Sequence, residues 1–294
     1  MYKRQAKAWD PVNRLANRAL LDEGTLSVAK YEADGTMSWL PLVHGQGPLN
    51  AANGFESQAD VLIEARRAAD LVGATPMDRP EGVAINPLTG RVYAVLTYNE
   101  RRKPRDDQNA RERANPANPR AENKWGQIVE MIPPARNGKP DHAAEVFRWG
   151  FFIVAGNPRN KAAGTQYHPA TGPNGWFQAP DNITFDPRGR ALITTDGMDN
   201  FDNNMADGLY GADTAGPGRA LSKHLFRTPL GAEMTGAAFT PDGRTVFVSV
   251  QHPGETDKST FDSPSTRWPD FKPGVPPRPS VVAITKADGG EIGS

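Results

Sequence analysis

Three stretches of the chain repeat one pattern: an apolar strand-like run, a tight turn built on proline and glycine, and a second apolar run. They are residues 82–97 (GVAINPLTGRVYAVLT), 182–195 (NITFDPRGRALITT) and 235–250 (TGAAFTPDGRTVFVSV). In the turns Asn86–Gly90, Asp186–Gly189 and Thr240–Gly243, proline pre-sets φ near −65° and glycine accepts a positive φ, so each stretch reads as a β-hairpin. Further strand-like runs follow: Gly126–Ile132 and Ala144–Val154 after the first hairpin, Leu221–Arg227 after the second and Ser280–Thr285 after the third. A hairpin with two outer strands is a four-stranded propeller blade, a unit that recurs about every 40–50 residues. The expected fold is all-β, an incomplete β-propeller of about three to four blades.

Upstream, Gly24–Val43 reads as another hairpin around an Asp34-Gly35 turn, the outer part of an earlier blade. Between it and the first full hairpin, Ser57–Leu71 reads as one short helix with Ser57 as N-cap and Gly73 as its stop. Loops swell between the strands at 98–124, 156–180 and 252–279, and insertions on one face of a repeat fold commonly carry function. A propeller must close into a ring, because an open array leaves apolar blade faces unpaired. Residues 1–294 are therefore expected to be one partial propeller domain, truncated at its N-terminus.

The 34 basic and 34 acidic residues cancel, which removes the electrostatic case for a nucleic-acid or anionic-membrane partner. The basic run Arg101, Arg102, Lys103, Arg105, Arg111 and Arg113 is interleaved with Asp106, Asp107 and Glu112 and reads as a solvated insertion. No apolar run approaches the roughly 20 residues that span a bilayer. There is no cysteine, which excludes thiolate catalysis and Cys-based zinc sites in this stretch. Met-Tyr-Lys-Arg-Gln opens no signal-peptide pattern, but an N-terminal truncation would remove the force of that observation.

The chemistry is expected at the edge where the inner strands begin, because residues there converge near the propeller axis. Glu81, Asp181, Asn182 and Glu233 all lie at that edge. Carboxylates and amide oxygens are the hard donors that Ca²⁺ takes in six- to eight-fold coordination, and crowded acids without a cation repel. Each acid taken singly also reads as a turn cap or a solvated carboxylate; it is their recurrence that points to metal. Arg79 stands two residues before Glu81, so in an extended segment both side chains point to one side. A guanidinium beside a metal carboxylate suits a phosphoryl group, whose oxygens match its forked donors. A plain salt bridge to Asp78 or Glu81 reads equally well from the spacing. Asp196, Asp199, Asn200 and His252 follow strands and read as turn formers or ligands, while Trp176-Phe177 reads as packing or as a stacking platform.

The segments Leu26–Leu42 (with Trp39-Leu-Pro-Leu), Gly73–Tyr93, Ala179–Gly197 and Glu233–Glu255 together resemble the PhoX-type alkaline phosphatases. That resemblance implies a six-bladed propeller phosphomonoesterase, exported by the twin-arginine route to the periplasm or outside the cell, with calcium and an oxo-bridged iron pair (Fe³⁺) in its axial site. It assigns phosphate binding to Arg79 and a metal to Glu81, and places Asp181-Asn182 in a segment that contributes further ligands. The family's iron site uses a cysteine, which this chain lacks. The expectation is thus the C-terminal half of a metal-dependent phosphatase acting on small phosphate monoesters as a monomer, with only part of the site on this chain. A calcium-dependent lactonase or esterase on a similar propeller, and a non-catalytic propeller that binds proteins, are the alternatives.

Overall fold

The computed structural model describes residues 2–5, 9–20, 22–198 and 205–293, and for 2–5 the backbone alone. The chain forms two compact units, Met1–Met77 with Lys103–Pro119 and Met131–Trp149, and Asp78–Arg102 with Arg120–Glu130 and Gly150–Ser294.

In the first unit β1 (Tyr2–Gln5), β2 (Gly24–Tyr31) and β3 (Thr36–Pro41) pair antiparallel. The β2–β3 turn is the Asp34-Gly35 turn expected: Gly35 sits at φ +81°, and the Asp34 carboxylate accepts from the Thr36 amide and hydroxyl. Ser57 caps the following helix through the Asp60 amide, as expected, but the single helix does not hold. Glu64 leaves the helical region (φ −99°, ψ 36°) and divides it into α1 (Gln58–Ile63) and α2 (Ala65–Leu71). Glu64 still donates to Asp60 and accepts from Ala68. Arg67 ties the break down, pairing with Glu64 and donating to the Asn53 carbonyl at 2.6 Å. Val61 and Ala68 pack from the two pieces into one cluster with Val28, Leu42, Leu49 and Phe55.

The second unit holds the repeated hairpins. β4 (Pro80–Ile85) pairs antiparallel with β5 (Val92–Leu96), and β6 (Gln127–Ile132) follows β5 in the sheet. The small hairpin β7 (Ala135–Arg136) and β8 (Lys139–Pro140) belongs to the first unit. β9 (Val146–Val154) then adds beside β6; its opening residues Val146–Arg148 lie in the first unit, where they pair with Thr36–Ser38 of β3. The early hairpin thus continues onto β9.

The next blade has four antiparallel strands in sequential order, β10 (Pro180–Phe185), β11 (Ala191–Thr195), β12 (Gly208–Ala212) and β13 (Ser222–Arg227). The last has three among the described residues, β14 (Glu233–Phe239), β15 (Thr245–Gln251) and β16 (Ser280–Thr285). These are the blades of an incomplete propeller, and every expected hairpin turn is present. Gly90, Gly189 and Gly243 all take positive φ, and their amides close onto Asn86, Asp186 and Thr240.

Burial explains the strand sequences. β11 is buried on both faces: Ile193 joins Tyr93, Val95, Ile128, Phe152, Phe177 and Tyr210 in one core, while Leu192 joins Met234, Val246, Val248 and Val250 in another. Its sequence is correspondingly without alternation. β16 alternates because one face packs through Val282 and Ile284 and the other, with Val281, is exposed.

The basic insertion is not wholly solvated. Arg102 is 2% exposed and pairs with the fully buried Asp78 at 2.6 Å; Asn99 and Asn123 donate to the same carboxylate. The partly buried Arg120 donates to the Ala155 and Ala163 carbonyls, and desolvation lowers its pKa to about 10. Removing one member of a buried pair strands the other charge. Asp78→Ala is expected to cost about 3–5 kcal/mol in urea unfolding. Asp78→Ala with Arg102→Met should recover much of that, and Lys30→Ala, which breaks the exposed 2.8 Å pair with Glu32, should cost under about 1 kcal/mol.

Candidate metal and phosphate site

The shared turns and registers set the three hairpins in one frame. Val83 faces Ala94, Ile183 faces Ile193 and Ala237 faces Val248, and just before each of these residues the register slips by one. The slip is a β-bulge, which re-aims side chains at the end of a strand. In this frame Glu81, Asp181 and Thr235 are counterparts, as are Gly82, Asn182 and Gly236. Glu233 corresponds to Arg79 and Ala179, so it reaches the edge from a position two residues earlier than the other acids.

The inner strands meet at the bulges. A Cβ on Gly82 would lie 2.9 Å from the Asn182 Cα and 3.0 Å from the Asp181 carbonyl oxygen, so glycine is required for β4 to approach β10. One blade on, the Asn182 side-chain oxygen accepts from the Gly236 amide at 2.7 Å. The Asn182 amide nitrogen donates to Asp181 Oδ2 at 2.8 Å. Asn182 therefore joins two blades and orients Asp181.

Four acids share this edge. Asp181 is 8% exposed, and burial, with the charges of Glu233, Glu81 and Asp196, pushes its pKa up to about 7 against the opposing pull of Arg79. Asp196 is raised by burial and then by Glu233, with Arg79 and His252 acting the other way. Asp196 thus belongs to the cluster. Its amide donates to the Ala179 carbonyl at 2.9 Å. The residues on either side of it are held by Asp207, a buried carboxylate that accepts from the Thr195 hydroxyl (2.6 Å) and the Gly197 and Met198 amides. Asp207 has no motif around it in the sequence, and nothing local marks it out.

Arg79 does not sit in extended backbone. Its φ is +41°, yet Nη2 still comes 3.7 Å from Glu81 Oε1, and the guanidinium lies over the Tyr98 ring at 4.6 Å. Asp78 is occupied by Arg102, which leaves Glu81 as the acid beside Arg79. Glu233 Oε2 accepts from Gln251 Nε2 and lies 3.2 Å from His252 Nε2. The other ring nitrogen of His252 is 2.9 Å from Glu255. Burial lowers the His252 pKa, but the bond to Glu233 and the charge of Glu255 outweigh it, so the net shift is upward.

Asp196, Asp207, Glu233, His252, Glu255 and Asp257 help to line an open polar cavity of about 590 Å³. Trp176 and Phe177 are in the core, with Phe177 against Tyr167 and Tyr210, so they pack and do not form a platform. Asp199 and Asn200 lie outside the described residues. Among the described residues no three His, Cys, Asp or Glu side chains close into a metal shell. The oxygen donors at the edge suit a hard cation, while a thiolate-bound iron has no cysteine here.

A comparison with protein families matches residues 3–254 to the alkaline phosphatase PhoX family. Among solved structures the chain is similar to Pseudomonas fluorescens PhoX in complex with vanadate, a transition state analogue: 37% identity, TM-score 0.86, covering 99% of this chain and 49% of that one. The chain thus spans about half the length of that structure. A luciferin-regenerating enzyme matches over 80% of this chain and 56% of its own at 14% identity and TM-score 0.32, too remote to carry an argument. No curated protein matches. The chain belongs to the alkaline phosphatase PhoX family.

Proposed function

We propose that this chain carries part of the site of a metal-dependent phosphomonoesterase, within a propeller that is six-bladed when complete. One observation carries the reading: a guanidinium, Arg79, lies 3.7 Å from Glu81 and acts on Asp181 and Asp196, carboxylates drawn from the same edge as Glu233 of the third blade. The relative's vanadate complex supports the same chemistry, since vanadate there is a transition state analogue. The substrate is a small phosphate monoester, met outside the cytoplasm by a monomeric enzyme. No described helix is long and apolar enough to cross a membrane.

Calcium is the cation these donors fit, and Glu81, Asp181, Asp196 and Glu233 would hold it, with Asn182 keeping Asp181 in place. When bound, such a cation offsets the repulsion of the carboxylates and polarises a phosphoryl oxygen. Arg79 binds the other phosphoryl oxygens through its forked donors and neutralises charge that builds on them during transfer. Tyr98 supports the guanidinium from below through a cation–π contact. Glu81 limits how far the guanidinium swings away. The chain has no cysteine, so its own residues supply no thiolate to an iron centre.

Arg79 is half exposed, so Arg79→Ala is expected to leave unfolding free energy within about 0.5 kcal/mol. The same substitution in a complete propeller enzyme of this family should lower turnover of an aryl phosphate at least about 100-fold, the loss typical of one oxyanion donor. Unchanged turnover contradicts the assignment. Calcium at a hundredfold excess over its Kd should stabilise the chain by about 2.7 kcal/mol in thermal scans, reversed by chelator. Asp181 has a folded-state pKa raised from 3.8 to about 7, so its ionisation disfavours the folded state as pH rises through that range. Asp181→Asn should therefore raise the melting temperature of calcium-free protein at pH 8 and shrink the calcium-induced rise.

A further inference from the structure

The residues at the end of the second strand of a hairpin perform one task in two blades. Thr97 donates from its backbone to the Arg79 carbonyl, and the next residue, Tyr98, lies under the Arg79 guanidinium. In the third hairpin Gln251 faces Glu233 across the ladder, and the next residue is His252. There the entry residue is Glu233, and both Gln251 and His252 bring a nitrogen to its Oε2. A carboxylate with one oxygen held by two donors has its rotamer fixed and its second oxygen left for another partner.

We propose that Gln251 and His252 are positioning residues that clamp Glu233, leaving Oε1 as its cation-binding oxygen. The clamp rests on the calcium reading given under Proposed function. Three placements support it. Glu233 has a mostly buried side chain, 12% exposed, and it lines the polar cavity together with Asp196. The His252 ring is itself held from behind: Nδ1 lies 2.9 Å from Glu255 and 3.4 Å from the Gly231 carbonyl. His252 also has φ +36°, a conformation that a side chain other than glycine adopts at a cost when surrounding structure requires it. Glu255 in turn is tied to the same turn through its amide, which donates to Gly231. Together they form a chain from loop backbone to Glu255, His252 and Glu233, and the cavity wall is built along it.

The test is calcium binding to the chain by isothermal titration calorimetry, paired with the melting temperature of the calcium-free protein. His252→Leu fills similar space but donates nothing, and should weaken calcium about 10–100-fold, the cost typical of losing a partner that orients a metal ligand. His252→Gln keeps an N–H near the position of Nε2 and should retain most of the affinity. Neither should change the calcium-free melting temperature by more than about 2 °C, since His252 is a partly exposed loop residue. Calcium bound equally well by the Leu variant and the unmodified chain overturns the clamp alone. Equal weakening in both variants also overturns it, because the donor would then be irrelevant. No calcium uptake by the unmodified chain overturns the clamp and the calcium reading together.

Discussion

The site depends on how closely the inner strands approach one another at their bulges. Gly82 lets β4 lie against the backbone at Asp181–Ile183, and Asn182 carries the contact on to Gly236. Without that approach Glu81, Asp181 and Glu233 would be carboxylates on separate hairpins. With it, Glu81 and Glu233 both raise the pKa of Asp181. The bulge matters as much as the glycine, since it turns two nearby positions of one strand toward a single edge. Arg79 and Glu81 meet for this reason even though Arg79 is left-handed, where simple alternation along a strand does not apply.

Function is set against stability here. Burial and like charge both disfavour ionisation of Asp181, and Asp196 is under the same pressure. A protein that tolerates this arrangement has other reserves. The apolar cores on both faces of β11 supply them. Asp207 does comparable work behind Asp196, accepting from two amides and a hydroxyl and so holding Gly197 and Met198 in place.

Much of this was legible in the sequence because local chemistry marks hairpins strongly. Proline and glycine fix the turns, and the residue after each turn sets the register. β12 was not legible: Gly208-Leu-Tyr-Gly-Ala212 has two glycines in five residues, and Gly208 is needed because a Cβ would lie 2.5 Å from the Phe226 carbonyl. Arg102 looked like one more surface arginine, since nothing near it in sequence shows that Asp78 waits in the interior. The helix break at Glu64 likewise has no local marker, and the Arg67 bond to the Asn53 carbonyl beside it crosses 14 positions of sequence. Among the site residues, Glu81 and Asp181 follow from repetition, whereas Asp196 becomes a member only when its neighbours across the hairpins are known.

The most direct measurement is anomalous diffraction from crystals of the chain soaked in a lanthanide that substitutes for calcium. A peak is expected within bonding distance, roughly 2.3–2.6 Å, of carboxylate oxygens from at least two of Glu81, Asp181, Asp196 and Glu233. A peak elsewhere, or none while those four carboxylates are well ordered, would contradict the claim that the bulged inner strands are brought together to hold a cation.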